Sequence, residues 1–502
     1  MKRLDDALTD RDGSLYIEER QATQLLEEFG SPLFVVSEDQ IRRNVRRFQT
    51  AFSTGWTQGP VKILPAAKAS WSAAVQSVLA SEGCGCDTYS PGELAIALNA
   101  GFDPALISVN GFPKDPAHVR HSVEVGARLT IDSLEEIDAI EAAAKATGTK
   151  AKVRVRLKPV LSGFIDNTEF ASEGLIPTDL ATLAYKGGLG FEEAVAAGKR
   201  VLASPHLQLV GFHQHHGRHD ASLRYWEEQM RAYAFEIARV CEALGGYRPK
   251  ELDIGGGYAI PRDPHNAATD YTEPLKLSLF YMLSKTLKLA GDKARYKVMT
   301  EMVDRFIEMA PKQKPAPSIE EYAATATSTL TRELSARGID TKGVMLQLEP
   351  GRSIHGNSGV HLTTVRGVKR VVTPVVWNIV AVDTTEFWLT GGRYEHHLHD
   401  FRVANRMGAA CDQKADIVGA SCFADRLLPA VRVPELAPGD VIAFLDAGAY
   451  QEVSASNFNA LPRPATVLVS GKNADVIRRR ETLDDVFQRD LVPKRLGREK
   501  AA

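Results

Sequence analysis

From residue 61 to residue 348, a short, mostly apolar run is followed repeatedly by a longer stretch with helical apolar spacing, and this alternation limits the fold more than any other feature. The runs occupy residues 61–65, 85–89, 106–110, 128–131, 152–156, 207–212, 251–254 and 344–348. A parallel strand covered by helices is buried on both faces and reads as a near-continuous apolar run. Each step to the next parallel strand needs a crossover, normally a helix. Residues 72–80 and the stretches opening at Gly92 and Asp115 read as such helices. Asp132 and Ser133 read as the cap of another, with Glu135 and Glu136 in its first turn. Eight strands in this order predict an α/β chain folded as a (β/α)8 TIM-like barrel, with its chemistry at the C-terminal strand ends.

Two stretches, 160–190 and 258–342, exceed ordinary βα connections and are expected as insertions near the catalytic face. Beyond residue 356 the crossover helices stop. Apolar runs at 360–365, 373–382, 441–445 and 465–469 alternate with turn signals, so a C-terminal all-β domain is expected over 356–502, ending in a charged helical tail from Asp475. Residues 1–37 are expected to join that domain, leaving 38–355 as the barrel. A chain of 502 residues buries a core without staples, so the five cysteines need not form a disulfide framework. With 61 basic against 63 acidic side chains, charge offers no case for nucleic acid or an anionic membrane. No signal peptide or membrane span is evident, so a soluble cytoplasmic enzyme is expected.

Chemistry-bearing residues gather at the ends of the runs. Lys68 follows the first. A lysine held among apolar neighbours loses its proton and attacks carbonyls as a Schiff-base former, whereas most strand-end lysines are merely solvated. Leu252-Asp253-Ile254-Gly255-Gly256-Gly257 exposes main-chain N–H groups that suit a phosphate, or else forms a tight turn. In Gly211-Phe212-His213-Gln214-His215-His216, strand alternation places His213 and His215 on one face, suited to stacking on a heteroaromatic ring. No acidic partner is spaced to complete a metal site, and no metal is expected there. Glu349 and Arg352 pair a carboxylate with a guanidinium, fit for a cationic ring nitrogen and an anionic group, or for a structural ion pair. In the β-domain, Cys422 reads as a proton donor or a small hydrophobe, and Tyr450 as a phosphate ligand or a core aromatic.

Taken in order, these blocks resemble the fold-type III pyridoxal-phosphate decarboxylases, the alanine racemase-like group that includes diaminopimelate, ornithine and arginine decarboxylases. The resemblance runs from Ser31-Pro32-Leu33-Phe34-Val35 to Arg478-Arg479-Arg480-Glu481-Thr482. It implies pyridoxal 5'-phosphate carried as a Schiff base on Lys68. It places Asp87 in the next family block with Ser90, Gly92 and Glu93, His215 against the cofactor ring, and Gly255, Gly256 and Gly257 at the phosphate. It sets Glu349 at the ring nitrogen and Arg352 near phosphate and substrate. Cys422, or Lys68 itself, would return the proton. It also implies a homodimer, with Cys422 and the block from Asp446 to Tyr450 brought to the neighbouring subunit's site.

The substrate end departs from the family pattern. Phe423 stands where diamine-forming members carry an acidic residue after the cysteine, and Arg218 replaces the usual serine after Gly217. The Arg-Pro-x-x-Tyr stretch of diaminopimelate decarboxylases is not reproduced around Arg393 and Tyr394. Decarboxylation of an amino acid other than diaminopimelate is therefore expected, its far end meeting Phe423, Asp425, Arg426, Arg393 or Arg352, with His396, His397 and His399 in a solvated loop. The alternatives are diaminopimelate decarboxylase proper, a racemase or lyase of the same fold, and a non-catalytic regulatory homologue. Glu349 argues against the racemase, which prefers arginine beside the ring nitrogen.

Overall fold

The computed structural model describes residues 2–3, 7–161, 165–166, 176–177, 185–215, 222–260, 316–372, 377–390 and 399–496. Eight parallel strands run round the barrel in chain order: Val61–Ile63, Cys86–Thr88, Ile107–Val109, Arg128–Ile131, Ala151–Arg156, Leu207–His213, Glu251–Asp253 and Met345–Leu348. The first and second meet through a parallel bridge between Ala66 and Asp87, where the Asp87 N–H donates to the Pro65 carbonyl at 3.2 Å. Each apolar run read between residues 61 and 348 supplies one of these strands. Their residues are almost all buried, as expected of strands covered by helices outside and by packed side chains within.

The barrel interior carries a polar plug. Arg154 is fully buried and donates to Asp253 at 2.6 Å and Gln347 at 2.5 Å, and Arg128 forms a bidentate pair with Glu251. Outside, helices Glu38–Gly55, Leu223–Ala243 and Ile319–Ala336 pack side by side. The last is capped by a Ser318–Glu321 capping box and sits between the seventh and eighth strands. It corrects part of the expected insertion: from Ile319 onward, 258–342 is a regular barrel helix. Residues 261–315, and most of 160–190, lie outside the described residues.

The second sheet is antiparallel for the most part. Its interior strand Leu33–Ser37 comes from the N-terminal segment, antiparallel to Gly359–Val371 on one side and parallel to Ala465–Ser470 on the other. Trp377–Val382, Gln413–Val418 and Arg426–Val433 extend one edge, and Asn473–Arg478 forms the other. The tail after Asp475 therefore continues as a strand before the short helix Leu483–Phe487, where the sequence suggested helix throughout. Among the described residues, no helix is long and apolar enough to cross a membrane.

Candidate active site

Lys68 lies in a single 3-10 turn, Ala67–Ala69, just beyond the first strand. Two contacts fix that turn: Ala66 N–H donates to the Pro350 carbonyl at 3.1 Å, and Tyr450 N–H donates to the Ala69 carbonyl at 2.8 Å. The side chain reaches solvent, yet its surroundings are not the apolar ones expected. Burial pulls the amine's pKa down, but Tyr450, Asp87, Tyr185 and Glu349 outweigh it and hold the ammonium form. The lysine is thus set among polar, ionisable groups rather than deprotonated by a dry pocket.

Those partners form one network at the strand ends. Asn110, directly after the third strand, donates through Nδ2 to Asp87 Oδ1 and to Glu349 Oε1, both at 2.7 Å. His213 Nε2 lies 3.1 Å from Glu349 Oε2. Burial raises the Glu349 pKa, but His213 and Arg154 more than reverse that and hold the carboxyl far below its usual range. Asp87 moves the other way, raised by burial and by Glu349 against the pull of Lys68. Of these two carboxyls Glu349 is the one that stays ionised, because two buried negative charges sharing an amide cannot both be retained. Asp253, buried beside them, is pushed up to about 6 by burial and Glu349 despite its bond to Arg154.

The sequence suggested no acidic partner for the histidine block; the fold supplies two. His213, Asp253 and Glu349 present ligand-type atoms within 4.8 Å of one another, although both carboxylates already accept hydrogen bonds from Asn110 or Arg154. His215 Nδ1 accepts from the Gly256 N–H at 3.1 Å. Its pKa is driven well down by burial and by Lys68, so the imidazole is neutral with its proton on Nε2. The glycine run is conformationally required. Gly255 and Gly257 have φ of 70° and 100°, and a Cβ on Gly256 would lie 2.2 Å from the Glu349 carbonyl oxygen. Of the three amides expected for a phosphate, two serve the protein itself: Gly255 N–H donates to Asp253 and Gly256 N–H to His215. Gly257 is the remaining main-chain donor of the run.

Tyr450 corrects one expectation outright. It belongs to this chain's own site: its main chain holds the Lys68 turn, its hydroxyl lies where a Cβ on Gly351 would come within 2.4 Å, and the Arg352 guanidinium sits 5.2 Å from its ring centre. Arg352 is buried. The other β-domain candidates are placed elsewhere. Cys422 is exposed, its N–H on Asn459 Oδ1 at 2.8 Å and its Sγ 3.2 Å from Asn459 Nδ2. Phe423 is exposed and packs edge-on against Phe387, which stacks on Phe458.

Asp425 is engaged within its own domain. Its buried carboxylate accepts from Ser421 N–H, Glu386 N–H and Thr385 Oγ1, and so pins the turn that carries Cys422. Arg426 pairs with Asp416 at 3.0 Å on its own strand pair. Far from solvated, His399 is buried against the Leu445 carbonyl. Arg393, His396, His397 and Arg218 lie outside the described residues. Ser90 and Glu93 form the capping box of helix Pro91–Asn99.

Sequence reasoning missed Asn110, Asp132, Arg156 and Tyr185. The first three end the third, fourth and fifth strands, so strand-end position alone was the available signal. Asp132 does not cap a helix, which instead begins at Glu136. It accepts from Gly111 N–H, Gly188 N–H and Arg156.

These side chains fit pyridoxal phosphate. An amine for the aldehyde, an ionised buried carboxylate for a protonated ring nitrogen, a neutral imidazole and a glycine turn with no room for a Cβ converge on one barrel mouth. Comparisons with known proteins agree. The family model described as pyridoxal-dependent decarboxylase, pyridoxal binding domain, matches residues 38–299. Diaminopimelate decarboxylase of Archaeoglobus fulgidus is 30% identical over 485 residues, covering 96% of this chain and 98% of that protein. The same-named protein of Bacillus subtilis is 28% identical, covering 95% of each chain. The crystal structure of diaminopimelate decarboxylase from M. jannaschii superposes with a TM-score of 0.79 at 25% identity, covering 98% of this chain and 99% of that one. The chain belongs to the pyridoxal-dependent decarboxylases, and it is a pyridoxal-phosphate-dependent carboxy-lyase acting from a (β/α)8 barrel joined to an all-β domain.

Proposed function

We propose that the chain removes the carboxyl group of an amino acid captured at Lys68, and that this amino acid is not diaminopimelate. The observation that carries the chemistry is the ionised Glu349 held by Asn110 and His213 across the mouth from the Lys68 turn. Bound pyridoxal phosphate supplies an aldehyde that captures amines and a protonated ring that accepts the electron pair left by departing CO₂. Lys68 would provide the amine that holds the aldehyde. Glu349 keeps the proton on the ring nitrogen, and Asn110 keeps Glu349 from turning away. His215, fixed by the Gly256 amide, offers an uncharged flat face. Gly257, Arg352 and Tyr450 take the phosphate. Cys422 of a neighbouring subunit, or Lys68, returns a proton to the α-carbon.

For the substrate, the supporting feature is Phe423. An aromatic ring packed on Phe387 stands beside Cys422, where diamine-forming members of the family carry an acidic side chain. It suits an apolar or uncharged far end, because an ammonium placed against it would lose hydration without gaining a partner. The second reading is diaminopimelate itself, favoured by the names of relatives that match over nearly the whole chain. CO₂ release from meso-diaminopimelate, lysine, ornithine, arginine and a set of apolar amino acids separates the two. Turnover is expected on an uncharged-tail amino acid, and efficient turnover of meso-diaminopimelate overturns that assignment.

A further inference from the structure

The fifth strand ends on a guanidinium to which the decarboxylation chemistry gives no role. Arg156 is buried and makes contacts in three directions. Its Nη1 lies 3.3 Å from Asp132 Oδ1, and its Nη2 donates to the His215 main-chain carbonyl at 3.2 Å. Its third contact is Tyr185, whose ring centre lies 5.5 Å from the guanidinium carbon. The segment bearing Tyr185 is built round this group. Lys158 Nζ holds the Tyr185 carbonyl at 2.7 Å, and Leu189 N–H returns to the Arg156 carbonyl at 2.8 Å. Gly188 adopts φ of 86° and gives its N–H to Asp132. A Cβ on Gly187 would lie 2.7 Å from Arg156 Nη1 and 3.0 Å from the Tyr185 ring.

We infer that Arg156 is a positioning residue that fixes His215 and Tyr185 together, so that the imidazole and the phenol stand at set places beside Lys68. A planar fork is suited to such a role, since it donates to a carboxylate and a carbonyl in one plane while its face lies on an aromatic ring. An ammonium has no such plane, so Arg156→Lys cannot replace it. Asp132 completes the device, joining the ends of the third, fourth and fifth strands through Gly111, its own position and Arg156, and holding Gly188 of the Tyr185 segment. The electrostatic pull of Tyr185 on Lys68 agrees with this placement.

The inference rests on the cofactor reading, and the experiment keeps the two apart. Equilibrium binding of pyridoxal phosphate and the circular dichroism of its visible band report ring placement without any turnover. Wild type is expected to bind with a band that Lys68→Ala abolishes; failure of that control overturns the cofactor reading. Given the control, Arg156→Met and Arg156→Lys should each weaken binding about tenfold and reduce the dichroism of the band, with Tm within a few degrees of wild type. Tyr185→Phe, which removes one hydroxyl and carries the test if the Arg156 variants do not fold, should change the dichroism while binding stays within about threefold. Wild-type affinity and an unchanged band in the folded variants overturn the positioning role.

Discussion

At the scale of single residues, the site depends on where protons sit. Glu349 is held ionised by His213 and Arg154 against the cost of burial, while Asp87 is raised. Glu349→Gln keeps an acceptor for Asn110 and removes the charge. Cofactor binding is expected to stay within about tenfold, while kcat for decarboxylation falls by about two to three orders of magnitude; steady-state kinetics with a binding titration checks the split. Two histidines away from the mouth set a stability window. Burial lowers His355 to about 4 and His361 to about 3, the latter packed between Phe34 and Phe444. In the unfolded chain both take up a proton near 6.5. The native state therefore binds fewer protons below that point, and stability falls as pH drops from 6.5 toward 4. Each contributes on the order of 2–3 kcal/mol over that window. Urea unfolding of His355→Asn between pH 7 and pH 4 should show a correspondingly smaller loss than wild type.

At the scale of elements, the barrel was legible because its chemistry repeats: eight strands buried on both faces each leave the same apolar trace, and strand ends mark the site. Lys68, Asp87, His215 and Glu349 were readable for that reason, as residues of a family pattern placed where such a barrel works. Much of the rest depends on contacts no local pattern carries. Asn110 and Arg156 look like ordinary strand-end polar residues until the barrel closes and brings Glu349 and Tyr185 to them. Asp425 looked available for substrate, yet its three donors come from segments that meet only in the folded domain. Strands such as Gln413–Val418 carry polar residues on one face and leave no apolar run to read. The glycine run tests how tightly elements are fitted. In Gly256→Ala the new Cβ would lie 2.2 Å from the Glu349 carbonyl and displace the turn from the eighth strand. A loss of about 1–3 kcal/mol in stability is expected, with the visible cofactor band reduced more than the melting temperature suggests.

At the scale of the whole molecule, the two domains bring two kinds of residue toward the chemistry. Tyr450 reaches across from the β-domain to the Lys68 turn of its own chain. Cys422 sits on an exposed loop of the same domain, on the turn that Asp425 fixes; among the described residues it is held by Asn459 rather than by the Lys68 network. Beside Cys422 an exposed Phe423 offers apolar surface that another subunit would cover. In a two-fold dimer any such contact occurs twice, so each subunit would give a Cys422 loop and receive one. Lys68→Ala and Cys422→Ala homodimers are each expected to be nearly inactive. Dissociated and reassociated as an equal mixture, half the dimers are mixed, and each mixed dimer holds one site with both groups intact. Activity should then return to about one quarter of wild type. Mixed dimers confirmed by native mass spectrometry but showing no recovery would place Cys422 and Lys68 of one site in the same chain and overturn the shared site.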